Sequence, residues 1–217
     1  MSDTRVDVSD EIKQVISSAC YDHLVFTMKN KGLFLQPMNF STVQYMNERC
    51  HYSAYKFNAM LARKLKDSFG ADKSYLNMGT TVGWLPWASR EDGSDLRIDN
   101  VEWDDQLECC EALRNTFGIN INYTCNNVND ENFVIRDINE VYDYVVLQRF
   151  FPIYHTHTGD QMLNILRKFK PYAKKSLVIE ADNNWTDGVF DVLKSVSEKR
   201  IIVSGQWQMT VTDLEKL

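Results

Sequence analysis

From Ile119 to Thr212 the chain changes its hydrophobic period again and again, and this alternation constrains its fold more than any other feature. Runs such as Ser176-Leu-Val-Ile-Glu180 and Arg200-Ile-Ile-Val-Ser204 are rich in β-branched residues and read as strands. Between such runs, apolar residues recur at three- and four-residue steps and read as helices. The expected order is a strand at 119–124, an Asn-rich turn, a short strand at 132–136 and a helix at 138–151. Asp137 and Glu140 are read as a capping box for that helix and Pro152 as its stop. An extended segment at 152–155, a helix at 160–170, a strand at 176–181, a helix at 187–198, a strand at 200–204 and a β segment at 206–212 complete the series. Strands separated by helices of this length predict an α/β (or α+β) protein with a mixed, partly parallel sheet.

The first third has a different pattern. Ser9 caps a helix over residues 10–29, whose stripe includes Ile12, Val15, Ile16, Ala19 and His23. A second helix runs from Thr42 to Phe69 on Val43, Met46, Cys50, Ala54, Phe57, Leu61 and Leu65, with Gly70 as its stop. These form a helical pair expected to pack on the sheet. Tyr75 to Trp84 reads as a strand interrupted by glycines, and Pro86 with the Ser-Arg-Glu-Asp run after it as a long loop. A helix from Asn100 to Phe117 is expected next. No Pro/Ser/Gly-rich linker separates the halves, so residues 1–217 read as one integrated domain.

Charge and composition exclude several classes. With 24 Lys+Arg against 30 Asp+Glu, the net charge is −6. That argues against a general nucleic-acid binder, which needs a basic surface to displace counterions. Hydrophobic residues at 44% and charged residues at 25% exclude disorder along most of the chain. The N-terminus lacks a basic region followed by an apolar one, and no run approaches the ~18 apolar residues of a membrane span. The five cysteines show no C-x-x-C spacing, which disfavours a zinc or disulfide framework. These readings lead us to expect a cytoplasmic protein with no membrane partner.

Candidate chemistry concentrates in His155-Thr156-His157-Thr158-Gly159-Asp160. Residues i and i+2 of a strand share a face, so His155 and His157 can reach one metal. Thr156, Thr158 and Gly159 precede a helix whose free N–H groups favour an anion, so the segment also reads as a phosphate site. Equally, the same residues make a polar turn in which Thr158 or Asp160 is simply an N-cap. Glu180 and Asp182 end the next predicted strand, and Ser204 the one after. If those strands are parallel and adjacent, all of these residues share one rim. Two imidazoles and a carboxylate suit Zn²⁺, Mn²⁺ or Fe²⁺, with Glu180 or Asp182 as a ligand or as a base on metal-bound water.

Three further features bear on function. Arg167, Lys168, Lys170, Lys174 and Lys175 can steer a phosphate-bearing ligand or form a solvated face. Trp84 and Trp87 flank Pro86, where they can stack a ligand or anchor an interface. Residues 90–111 carry nine acids against two arginines, which suits self-association or a basic protein partner. No G-x-G-x-x-G, Walker A, G-x-S-x-G or H-E-x-x-H motif occurs, so the common dinucleotide, P-loop, α/β-hydrolase and zinc-peptidase readings are disfavoured. Two readings stay open. The first, which the weighing favours, is an interaction or assembly protein without catalysis, such as a viral accessory or structural protein. The second is a binding protein for a nucleotide or another phosphate ligand, or a metal-dependent hydrolase, built on the histidine segment.

Overall fold

A computed structural model describes residues 52–78, 83–104, 119–148, 159–182, 187–204 and 207–217. Helix α1 (Tyr52–Phe69) leads into strand β1 (Ser74–Met78), followed by α2 (Trp84–Glu91), β2 (Arg97–Trp103), β3 (Tyr123–Cys125) and β4 (Tyr142–Gln148). Helix α3 (Gly159–Phe169), β5 (Ala173–Asp182), α4 (Asp187–Val196), β6 (Ser197–Ser204) and β7 (Trp207–Thr212) complete the described elements, with short 3-10 turns at Lys170–Tyr172 and Leu214–Lys216. The strands form one seven-stranded sheet in the order β3-β2-β1-β4-β5-β7-β6. Strands β3, β2, β1, β4 and β5 are mutually parallel, whereas β7 runs antiparallel to both β5 and β6. The α/β class and mixed sheet expected from the sequence are observed.

Helices cover both faces. Phe57, Leu61 and Leu65 of α1 and Leu85 of α2 pack on Tyr75, Ile98, Tyr144, Val146 and Val178. On the other face, Met162, Ile165, Leu166 and Phe169 of α3 and Leu193 and Val196 of α4 pack on Leu76, Val101, Val145, Leu147, Leu177 and Ile179. Burying one such side chain contributes ~1.5–3 kcal/mol relative to leaving it exposed, so both layers hold the sheet. Gly70 ends α1 with φ 104°, its N–H donating to the Lys66 carbonyl. It is the stop the sequence predicts, since that backbone conformation favours glycine.

Several local expectations are corrected. The sequence predicts a helix over 138–151, yet Tyr142–Gln148 is the central strand β4. Its side chains alternate between the two packed faces, Tyr144 and Val146 to one and Val145 and Leu147 to the other, so the run is apolar throughout and has no strand period to read. Asp137 has φ 59°, not the extended backbone of an N-cap, so no capping box forms. Asn100, expected to open a helix, lies inside β2. Pro86 sits in the first turn of α2 rather than in a loop, where a missing N–H costs the helix nothing. The strand expected at 132–136 reduces to a single bridge between Cys125 and Ile135. The 10–29 helix, the first part of the second helix, residues 105–118 and the 152–155 segment lie outside the described residues.

Candidate functional site

In an open parallel sheet, ligands bind beyond the strand carboxyl ends where strand order reverses direction. Here the chain winds outward from β1 through β2 to β3, then returns to place β4 on the opposite side of β1. By that rule the candidate crevice is expected at the carboxyl ends of β1 and β4. The chain leaves β1 through Gly79-Thr-Thr-Val-Gly83 and enters α2. Gly83 has φ 74° and ψ 40°, and a Cβ there would stand 2.6 Å from Asn100 Nδ2 and 3.2 Å from Ile119 Cγ2. Both the backbone conformation and the close approach require glycine.

The sheet face under α1 turns polar toward this crevice. Tyr75 is in register with Ile98 and Tyr144 in one apolar row. In the next row, Asn77 is in register with Asn100, and its amide donates to Asn100 Oδ1 at 2.9 Å. Asn100 Nδ2 in turn donates to the carbonyls of Gly83 at 3.4 Å and Asn120 at 3.2 Å. One row further, Glu102 and Gln148 stand one residue beyond Val101 and Leu147, the register partners of Met78. They therefore flank the point where β1 leaves the sheet. Gln148 pairs in register with Glu180 of β5, and its amide donates to Asn58 Oδ1 of α1 at 2.7 Å. Glu102, Gln148 and Glu180 are all buried, Glu102 with 1% of its surface exposed. One Glu102 oxygen accepts the Trp103 N–H at 2.9 Å.

Displaced pKa values cluster elsewhere, toward the amino ends of the strands. Ser74 donates from its N–H and its hydroxyl to Asp143, holding that carboxyl below its usual range. Arg97 does the same for Glu140, and Lys73 for Asp72. Burial pushes the Tyr75 and Tyr142 hydroxyls upward. Tyr75 donates to the Gly70 carbonyl and Tyr142 to Asp99, as expected of neutral phenols in structural hydrogen bonds.

The residues singled out by sequence fall in different places. His155, Thr156, His157 and Thr158 lie outside the described residues, in the connection from β4 to α3. Gly159 is the first residue of α3, and a Cβ there would approach Val192 Cγ2 of α4 to 2.9 Å. Close packing of helix on helix thus accounts for this glycine without a phosphate. Glu180 is buried within β5, and Asp182 ends that strand. Ser204 ends β6, but β6 does not adjoin β5: β7 lies between them, and Trp207 is in register with both Asp182 and Ser204. The two strand ends lie on one side of the sheet, but the expected adjacency fails because an antiparallel strand is inserted.

Trp84 and Trp87 are buried, at 2% and 5% exposure, with ring centroids 5.3 Å apart. They fill core space, so the exposed aromatic patch expected around Pro86 is absent from these two residues. Within the acidic segment, Asp92 pairs with Arg63, Asp104 with Arg136, and Asp99 accepts from Tyr142. Among the described residues, no group of three or more His, Cys, Asp or Glu could hold a metal ion. No described helix is long and apolar enough to cross a membrane.

Sequence reasoning misses Glu102, Asn77, Asn100 and Gln148. A signal is present: Gly79 and Gly83 in the connection after β1, and an acid at the end of the next strand. It escapes notice because Gly79-x-x-x-Gly83 departs from the G-x-G-x-x-G spacing and Asn100 reads as helical.

No protein-family model matches the chain, and no curated protein matches it by sequence. Solved structures do resemble its fold. The mitomycin 7-O-methyltransferase MmcR is 12% identical over 80% of this chain, with a TM-score of 0.55. The S-adenosylmethionine-dependent methyltransferase SibL is 12% identical over 94% of this chain and 72% of its own, with a TM-score of 0.51. The pyocyanin biosynthetic protein PhzM is 10% identical over 94% of this chain and 73% of its own, with a TM-score of 0.55. This chain spans 57% of the length of MmcR. At such identities the likeness establishes a shared fold, and the recurrence of methyltransferases among the neighbours corrects the sequence-based expectations of function. It overturns the reading as a non-catalytic interaction or assembly protein. The alternative of a phosphate-ligand protein or metal-dependent hydrolase fits this fold no better.

Proposed function

We propose that the chain binds S-adenosylmethionine in the crevice between β1 and β4 and transfers its methyl group to the oxygen of a small-molecule acceptor. The observation that carries this reading is the buried carboxylate of Glu102 at the carboxyl end of β2, beside the switch in strand order. In dinucleotide-binding sheets an acid about 20 residues beyond the glycine turn accepts the ribose hydroxyls. Glu102 stands at that distance from Gly83. The donor set fits an adenosyl group: a carboxylate for a cis-diol, with a glycine, Gly83, at the start of α2. The methyltransferase neighbours support the same reading.

When bound, the sulfonium supplies an electrophilic methyl carbon: the acceptor oxygen forms the new C–O bond, and the broken C–S bond leaves its electron pair on sulfur as a thioether. The acceptor hydroxyl must also lose its proton. We assign that role to the connection between β4 and α3, where His155 or His157 supplies an imidazole that can accept it. A cytoplasmic location, as the sequence suggests, suits this chemistry.

Calorimetric titration of the full chain with S-adenosylmethionine and S-adenosylhomocysteine tests the reading. Binding in the micromolar range is expected, about 8 kcal/mol. Glu102→Gln removes one acceptor and the charge, and should weaken binding at least about tenfold, or ~1.4 kcal/mol. Absence of binding by the wild-type chain would overturn the proposal.

A further inference from the structure

We infer that the buried Asn77–Asn100 amide pair is a positioning device for Gly83 at the start of α2, so that Asn100 governs adenosyl affinity without touching the ligand. The inference rests on the reading of the crevice given above. Both amides are buried, at 1% and 2% exposure, in a row that continues through Val146 and Val178. Apolar side chains would fill that row at lower cost, because buried amides destabilise unless their hydrogen bonds are met. The bonds they make run toward the crevice. Asn77 anchors Asn100 Oδ1 from β1, which fixes the orientation of the amide. The opposite end of that amide then donates to Gly83, which caps α2, and to Asn120, on the way into β3.

The Asn100 backbone adds a second tie to the same segment. Its N–H donates to Asn122 Oδ1 at 3.0 Å, and its carbonyl accepts the Asn122 N–H at 3.0 Å. One residue therefore links β1, the cap of α2 and the segment entering β3. A Cβ on Gly83 would come within 2.6 Å of the Asn100 amide nitrogen, so Gly83 and the amide are tightly fitted. Holding a binding loop in its bound geometry raises affinity by removing the ordering cost from the binding step.

The test compares Asn100→Asp with Asn122→Ala in the full chain, by S-adenosylhomocysteine calorimetry, thermal melting and hydrogen exchange over Gly83–Ala88. Asn100→Asp keeps the shape and the acceptor for Asn77 but loses the donor to Gly83 and Asn120. It should weaken binding about tenfold or more and speed exchange at the start of α2. Asn122→Ala removes an acceptor on an exposed residue, lowers the melting temperature, and should leave binding within about twofold, since the turn contact remains. Should Asn100→Asp fail to fold, Asn77→Ser replaces it; freeing the Asn100 amide to rotate should weaken binding by about threefold or more. The inference is overturned if the Asn100 or Asn77 variant binds as tightly as wild type, or if Asn122→Ala loses as much affinity as they do. A wild-type chain that does not bind overturns the methyl-transfer reading and this inference together, whereas tight binding by the variants overturns this inference alone.

Discussion

Gly83→Ala probes the geometry of the crevice directly. Gly83 occupies left-handed backbone, which costs an L-residue such as alanine about 1–2 kcal/mol. The new methyl would also stand 2.6 Å from Asn100 Nδ2, 3.1 Å from Asn100 Cγ and 3.2 Å from Ile119 Cγ2. Asn100 is held by Asn77 and cannot swing away freely, so overpacking adds about 1–3 kcal/mol. A total near 3 kcal/mol corresponds to a fall of about 6–12 °C in melting temperature for a chain of this size. Urea unfolding followed by tryptophan fluorescence is well placed to read it, because Trp84 and Trp87 are buried immediately after the mutated residue. Asn100→Ser removes the clashing nitrogen, so the double variant should recover at least about 1 kcal/mol relative to the sum of the singles. A Gly83→Ala melting temperature within about 1 °C of wild type, or strict additivity in the cycle, would refute the close approach.

Three further outcomes are expected. Asp92 has a fully buried side chain that accepts from Arg63 at 2.9 Å and from the Ser94 N–H at 2.9 Å, while Arg63 keeps about a third of its exposure. Asp92→Ala should therefore cost about 1–3 kcal/mol in denaturant unfolding, and additivity with Arg63→Ala would sink the coupling. Asp143 is held below its unfolded pKa by Ser74, so its contribution is complete above about pH 4 and lost as pH falls through the folded value. Acid titration of stability should show a shallower acid limb in Asp143→Asn; an unchanged limb would exclude this role. Asn58→Leu and Gln148→Leu should each destabilise by about 1–3 kcal/mol, and a cycle in equilibrium unfolding should give a coupling above about 0.5 kcal/mol across the 2.7 Å bond.

Much of the fold is legible from local pattern. The strands around 176–181, 200–204 and 206–212, the helices around 160–170 and 187–198, and the Gly70 stop are all observed within a few residues. Those segments carry a period, a glycine terminator or a β-branched run that acts at short range. The failures share a cause. Tyr144-Val-Val-Leu147 is covered by helices on both faces, which erases the alternation that marks a strand. Asn100 is polar because it ties two strands to a turn, and its amide partners lie 17 to 23 residues away. The candidate site is legible only in part. Glu180 and Asp182 stand out as a strand end, but the insertion of β7 between β5 and β6 leaves no local trace.

The sequence by itself determined the class of architecture: alternating strand and helix segments, apolar on the faces that must meet, can be buried only as an α/β layering. Tertiary structure alone decided the strand order, the antiparallel insertion of β7 and the reversal in strand order beside β1. It also decided that Glu102, Gln148, Glu180 and the Asn77–Asn100 pair are buried in the sheet around that reversal, while Trp84 and Trp87 lie in the core. The physical reason is range. Propensity, capping and periodicity act within a few residues, whereas strand order follows from which buried faces and hydrogen-bond ladders can be satisfied together across the whole sheet.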